Sequence, residues 1–213
     1  MQGASCSPFI GDVSKHSSRY SQKRNGMSSR NTFVRSLHDL GAAAWFGGAL
    51  MGAVGLNGAG AAVRDPRDRT CVTASGWAKW GPVNAVAVGA HLIGGGAILY
   101  TNRGRAKYQS GVTSNTAVKI AVTGAALAVT AYNRVLGAKA SQGQEHPVDG
   151  ATEPSSATPT AAASAQQQLR YLQWALPALT GSIIVLGAQQ GEQQRPHQIA
   201  AGVGSKLART VRD

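Results

Sequence analysis

Charge is scarce in this chain. Asp, Glu, Lys and Arg make up 14% of its 213 residues, where roughly 25% is usual in soluble domains. Acidic side chains are the rarest of them, 9 against 21 Lys and Arg, so the formal net charge is +12. That balance invites a nucleic-acid reading, but the basic residues sit in tails and loops between long uncharged stretches. Aromatics, 6% of the chain, do not alternate with them as base-stacking platforms do, so no nucleic-acid partner is expected. Cysteine is nearly absent. Cys6 and Cys71 form neither a metal-ligand spacing nor a disulfide framework. No Walker A loop, G-x-S-x-G, H-E-x-x-H or C-x-x-C occurs, and no pair of carboxylates falls inside an apolar stretch. Gly94, Gly95 and Gly96 lie within such a stretch, not between a strand and a helix, which removes a dinucleotide reading. Hydrolytic and phosphoryl-transfer chemistry are argued against; the expectation is a non-enzyme with no cofactor.

What the chain does have is long runs without charge. Its mean hydropathy of −0.13 averages polar tails with apolar spans, so a windowed reading is the informative one. Residues 40–63 carry no charge, and at 1.5 Å per residue they give roughly 36 Å of helix, enough to cross a bilayer. That length also exceeds the apolar region of a cleaved signal peptide, about 7–15 residues. Residues 81–100 form a second run, with Trp77 and Trp80 beside it as interfacial anchors. A third, at 118–135, has Lys119 and Arg134 near its ends, where long basic side chains snorkel to headgroups. The fourth, 172–188, follows Tyr171 and carries Trp174, with Pro177 placed in its first turns.

The fold class that follows is all-α: a polytopic membrane protein, a four-transmembrane-helix bundle with spans at about 38–63, 81–100, 118–135 and 172–188 inside a domain 34–190. Residues 1–33, rich in Ser, Asn and basic side chains, are expected to be a disordered leader, and Met27 reads as a natural start. Residues 140–168 are expected to be a flexible loop, with a short helix at its Ala/Gln-rich end, and 191–213 a polar basic tail. Of the 21 Lys and Arg, 14 lie on the side of the N-terminus, which places both termini in the cytoplasm and Cys6 and Cys71 on opposite faces. The usage of Ala, Gly and Arg suits a GC-rich bacterial genome, so a bacterial plasma membrane is the expected location. The lipid bilayer is the expected partner, with a homo-oligomer or a larger membrane complex beyond it.

Helical steps of three and four place His38, Gly41, Trp45, Gly48, Gly52, Gly55 and Ala59 on one stripe of the first span. Gly41, Trp45, Gly48, Gly52 and Gly55 are its candidate packing residues, since glycines let a neighbouring backbone approach closely. Each later span has one polar or small face. These hold Asn84, Val88, His91, Gly95 and Ile98, then Lys119, Thr123, Ala126, Thr130 and Asn133, then Gln173, Pro177, Thr180, Ile184 and Gly187. In lipid such faces turn inward, so Asn84, Thr123, Thr130, Asn133, Gln173 and Thr180 are expected to be buried and bonded across helices.

His91, mid-span, is the candidate cofactor residue, because an ionisable group at that depth is a functional hypothesis by default. It could carry protons or ligate haem or copper; bonded to Thr123, Thr130 or another inward polar group, it is purely structural. His38 is a second, weaker metal candidate. Judged by the ends of the apolar runs, it lies roughly 12–15 Å from His91 along the bundle axis, too far to share one iron. Asp39 and Lys119 share a boundary, where they form an ion pair or a solvated contact.

The stretches LHDLGAAAWFGGALMGAVGLNGA, GWAKWGPVNAVAVGAHLIGG, TAVKIAVTGAALAVTAYNRVLG and LQWALPALTGSIIVLGAQQGEQQRP together resemble a group of small bacterial four-helix integral membrane proteins. That resemblance spans residues 27–196 and implies a fold without an activity. His38, Trp45, Gly47 and Gly48 are similar, over one helix, to the H-x6-W-x-G-G pattern of the copper-resistance D membrane domain, which implies copper handling.

Overall fold

A computed structural model describes residues 13–106 and 110–193, with side chains over 32–101 and 114–189. Helix α1 (Val13–Met51) passes through a π-helical turn (Gly52–Leu56) into the short α2 (Asn57–Ala61). Then come α3 (Asp68–Ala106), α4 (Ser110–Ser141) and α5 (Thr160–Gln193). Among the described residues there are no strands, only one isolated bridge between Val148 and Pro154. Four helical stretches are long and apolar enough to cross a membrane: Thr32–Ala61, Asp68–Thr101, Ser114–Ser141 and Thr160–Gln189. The four expected spans are all found.

Every helix outruns its apolar stretch at one end or both, although the first ends at Ala61, two residues short of Val63. Hydropathy marks where charge is excluded, while a helix propagates for as long as each added residue gains a backbone hydrogen bond. The correction is largest at the leader: α1 begins at Val13, inside the segment expected to be disordered, and residues 1–12 lie outside the described part. The expected start Met27 falls within α1. Residues 194–213 of the tail are also outside it. Pro177 is buried well inside α5, not in its first turns, because α5 already starts at Thr160. As an interior proline it leaves the carbonyl of Gln173 without its helical donor.

The loop between α4 and α5 is shorter and more ordered than expected. It folds onto the start of α3. Val148 N–H donates to Pro66 O (3.2 Å), and Arg69 Nη1 donates to Val148 O (3.1 Å) and Asp149 O (3.0 Å) while its Nε holds Val63 O (3.0 Å). Val148 and Thr152 are buried. Composition alone favoured flexibility; a single guanidinium satisfying three carbonyls on two loops opposes it. Arg69→Gln is accordingly expected to expose residues 142–159 to proteolysis at least several-fold faster, with helix content by circular dichroism unchanged. Equal cleavage of both proteins would show that Arg69 does not hold the loop.

Packing is uneven around the bundle. α1 lies along α3 and α4 along α5; α1 also packs on α5, while α3 and α4 touch least of the four adjacent pairs of long helices. The main core gathers Ala42, Trp45, Ala49, Ala126, Leu176 and Ile183 between α1, α4 and α5. Large apolar side chains such as Leu40, Val54, Val86, Ile93, Ile120 and Val185 point outward.

Gly41, Gly48 and Gly52 face α3 as the glycine stripe predicts. A Cβ on Gly41 would lie 2.5 Å from Ala87 O and 2.5 Å from the His91 nitrogen, and one on Gly48 or Gly52 would strike the indoles of Trp80 or Trp77. Gly55 departs from the stripe: a Cβ there would meet only the helix's own Met51 side chain. The π turn explains this. It inserts one residue into the helical repeat, so the seam moves on from Gly52 to Leu56, which covers Gly76, and to Gly60, which covers Thr73. Gly60 is buried and Ala59 exposed.

Candidate functional site

Two histidines meet where α1 crosses α3. The crossing is close because small residues stand on both sides: a Cβ on Gly94 would lie 2.7 Å from the His38 nitrogen, and one on Gly95 would touch the His38 ring at 3.2 Å. With the backbones that near, each imidazole reaches the other helix. His38 Nδ1 lies 2.9 Å from His91 O, and His91 Nδ1 lies 3.2 Å from His38 O. A carbonyl only accepts, so both rings carry the proton on Nδ1, an assignment made from the bonding network. The two rings stack with centroids 4.1 Å apart and planes 20° from parallel. Both residues are buried, His38 at 6% exposure and His91 at 2%.

The Nε2 atoms therefore present lone pairs. That of His38 accepts from Lys119 Nζ at 2.9 Å, which α4 brings in beside Gly187 of α5. His91 Nε2 makes no hydrogen bond among the described residues. Asp39 stays exposed, close enough to act on Lys119 electrostatically; Lys119 spends its reach on His38, so the expected Asp39–Lys119 contact gives way to an ammonium–imidazole one. Lys119, half-buried, turns to His38 and not outward, whereas Arg134 stays exposed, with its Nη1 over Gly81, 3.0 Å from where a Cβ would stand.

The expected depth gap between His38 and His91 is overturned. It came from aligning the ends of two apolar runs, but the register of α1 on α3 is set by the glycine contacts, which place Gly41 opposite Ala87 and His91. Shared depth does not by itself make an iron site. Opposite axial ligands hold the metal in the plane of each ring, on the line of a ring nitrogen, whereas these rings face each other across their π surfaces.

The remaining predicted polar positions divide. Thr130 Oγ1 accepts from Trp45 Nε1 (3.2 Å) and donates to Ala126 O (2.8 Å) within its own helix. Gln173 Oε1 accepts from Asn57 Nδ2 (2.8 Å), and Asn57 Oδ1 accepts from Trp77 Nε1 (3.0 Å). Thr180, fully buried, bonds only to Leu176 O and Pro177 O of its own helix, so its cross-helix role is not found. Thr123 and Asn84 are half-buried, and Asn133 Oδ1 is buried without a partner. Sequence reasoning missed Asn57. A lone amide inside an uncharged run was its signal, hidden because the regular repeat places Asn57 away from the stripe and only the π turn swings it toward Gln173. The rings of Trp77 and Trp80, expected as interfacial anchors, also cover Gly52 and Gly48, a placement with no signal in the sequence.

Comparison with known protein families, curated proteins and solved structures finds no match to this chain.

Proposed function

We propose that this chain is a multi-pass protein of the bacterial plasma membrane, both termini cytoplasmic. It works there as a non-enzymatic module, either a homo-oligomer or an accessory subunit of a larger membrane complex. The outward apolar side chains support the membrane setting, since a comparable surface in water is an association liability. One observation carries the non-enzymatic reading. The buried histidines spend both Nδ1–H groups on each other's backbones, and the Lys119 ammonium takes the His38 Nε2, so three of four imidazole nitrogens fasten α1, α3 and α4 together.

A second reading rests on the fourth nitrogen. His91 donates Nδ1–H to a backbone carbonyl while its Nε2 makes no hydrogen bond among the described residues, the arrangement typical of a metal-ligating imidazole. A small transport or redox protein handling haem or copper, centred on His91, would use that atom. Among the described residues no three His, Cys, Asp or Glu side chains come together, so His38 would have to release Lys119 to supply a second ligand. The two readings separate on one preparation. Native protein purified in mild detergent is expected to show no Soret band and copper well below one per chain, and to retain any co-purifying subunits. A Soret band or one copper per chain, lost in His91→Ala at normal abundance, would replace the first reading with the second.

A further inference from the structure

We propose that the cleft between α3 and α4 binds the headgroup of an anionic phospholipid, with the phosphate on Arg134 and headgroup hydroxyls on Asn133 and Thr70. This site is separate from the histidine clamp and does not depend on the reading built on it.

The cleft exists because α3 and α4 are the neighbours that pack least. It encloses about 370 Å³, within the range of small-molecule sites. Ala49 and Leu176 line it from α1 and α5, and Thr152 of the α4–α5 loop lines it as well. Space on that scale takes a polar headgroup but not acyl chains, which would have to lie outside it.

Its lining defines the ligand chemistry. Arg134 is the one cation among the lining residues, and no Asp or Glu lines the cleft. The missing side chain of Gly81 leaves room for the Arg134 Nη1, 3.0 Å from where a Cβ would stand. A guanidinium without a carboxylate, at the edge of an apolar bundle, calls for an anion that matches its planar fork, and phosphate does so. Two further lining residues, Asn133 and Thr70, each hold a side-chain oxygen that is buried without a hydrogen-bond partner. Such atoms are costly to leave unpaired, and an amide oxygen requires a donor. An occupant must therefore combine an anion with hydroxyl donors, as a phosphoglycerol headgroup does and a phosphocholine headgroup does not. The indoles of Trp77 and Trp80 stand in the same lining, and tryptophan is enriched at the headgroup level of a bilayer. The proposed source is the membrane and not the aqueous phase, and a soluble glycerol phosphate separates the two.

The test uses the full chain, delipidated in detergent, with native mass spectrometry and thermal shift as readouts. Phosphatidylglycerol, phosphatidylcholine of the same acyl chains and water-soluble glycerol phosphate are titrated separately. Phosphatidylglycerol is expected to bind with about tenfold preference over phosphatidylcholine, the scale of one charge-assisted contact, and to raise the melting temperature. Arg134→Gln should abolish the preference. Asn133→Leu, which keeps the cation but fills the cleft and removes the acceptor, should weaken phosphatidylglycerol binding, so the proposal stays testable if the arginine variant fails to fold. Lys139→Gln, an exposed cation outside the cleft, should leave binding unchanged. Equal binding of the two lipids, equal loss in Lys139→Gln, or full competition by glycerol phosphate at matching concentration would each overturn the proposal. The first would mean an unspecific cleft, the second a diffuse basic surface and the third a soluble ligand.

Discussion

Gly41→Ala and Gly94→Ala are each expected to lower the thermal stability of the bundle in detergent, although each adds a single methyl group. The new Cβ would stand 2.5 Å from Ala87 O in the first case and 2.7 Å from the His38 nitrogen in the second. Those atoms are backbone and have no rotamer into which to escape, so the helices must separate. Overpacking of this kind typically costs about 1–3 kcal/mol. Between membrane helices there is little hydrophobic force to restore the contact. Gly48→Ala and Gly52→Ala are expected to fall between these and neutral, because the obstructing atoms are the outer edges of the Trp80 and Trp77 rings. Gly47→Ala and Gly89→Ala supply the controls. Nothing lies within 4 Å of a Cβ at either position, and the better helix propensity of alanine should leave stability equal or slightly higher, by up to about 1 kcal/mol. The measurement is a set of melting curves on the six variants. If Gly41→Ala melted with Gly47→Ala, the close crossing of α1 and α3 would be refuted, and the histidine geometry with it.

His38→Ala and His91→Ala should each destabilise the protein, and the double variant should lose less than the sum of the two. Each imidazole donates to the other residue's backbone and stacks on its ring, so removing one takes away part of what the second contributes. Cross-helix hydrogen bonds in membranes average about 0.6 kcal/mol, with a maximum near 1.7. Two such bonds and a ring contact therefore predict a coupling of about 1–3 kcal/mol, inside the span seen for residues in direct contact. Lys119→Met should be milder, as it leaves the reciprocal pair intact and strands only the His38 Nε2. A double-mutant cycle in detergent decides the matter. Additivity within about 0.3 kcal/mol would mean that the histidines do not act as a pair and that His91 is better examined by itself.

The sequence determined by itself that the protein is helical, how many apolar helices it has and which faces turn inward. Those properties depend on distances of one to four residues, where charge exclusion and the 3.6-residue repeat act directly. The inward placement of His38, His91, Trp45, Gly41 and Gly48 was legible in that way, and so was the face holding Lys119, Ala126 and Thr130. Helix ends were legible only roughly, because nothing in hydropathy stops a helix where charge begins; Val13 and Thr160 both start helices well outside the apolar runs. The tertiary structure alone decided register and partners. One π turn moved the seam from Gly55 to Leu56 and Gly60 and brought Asn57 to Gln173. The loop expected to be flexible was captured by Arg69, a contact across 79 residues that no local signal encodes. The meeting of His38 with His91 belongs to the same class. Apolar runs can slide past each other at little cost in lipid, so the relative depth of two helices is settled by where their backbones can touch, and that is a property of two glycine surfaces together.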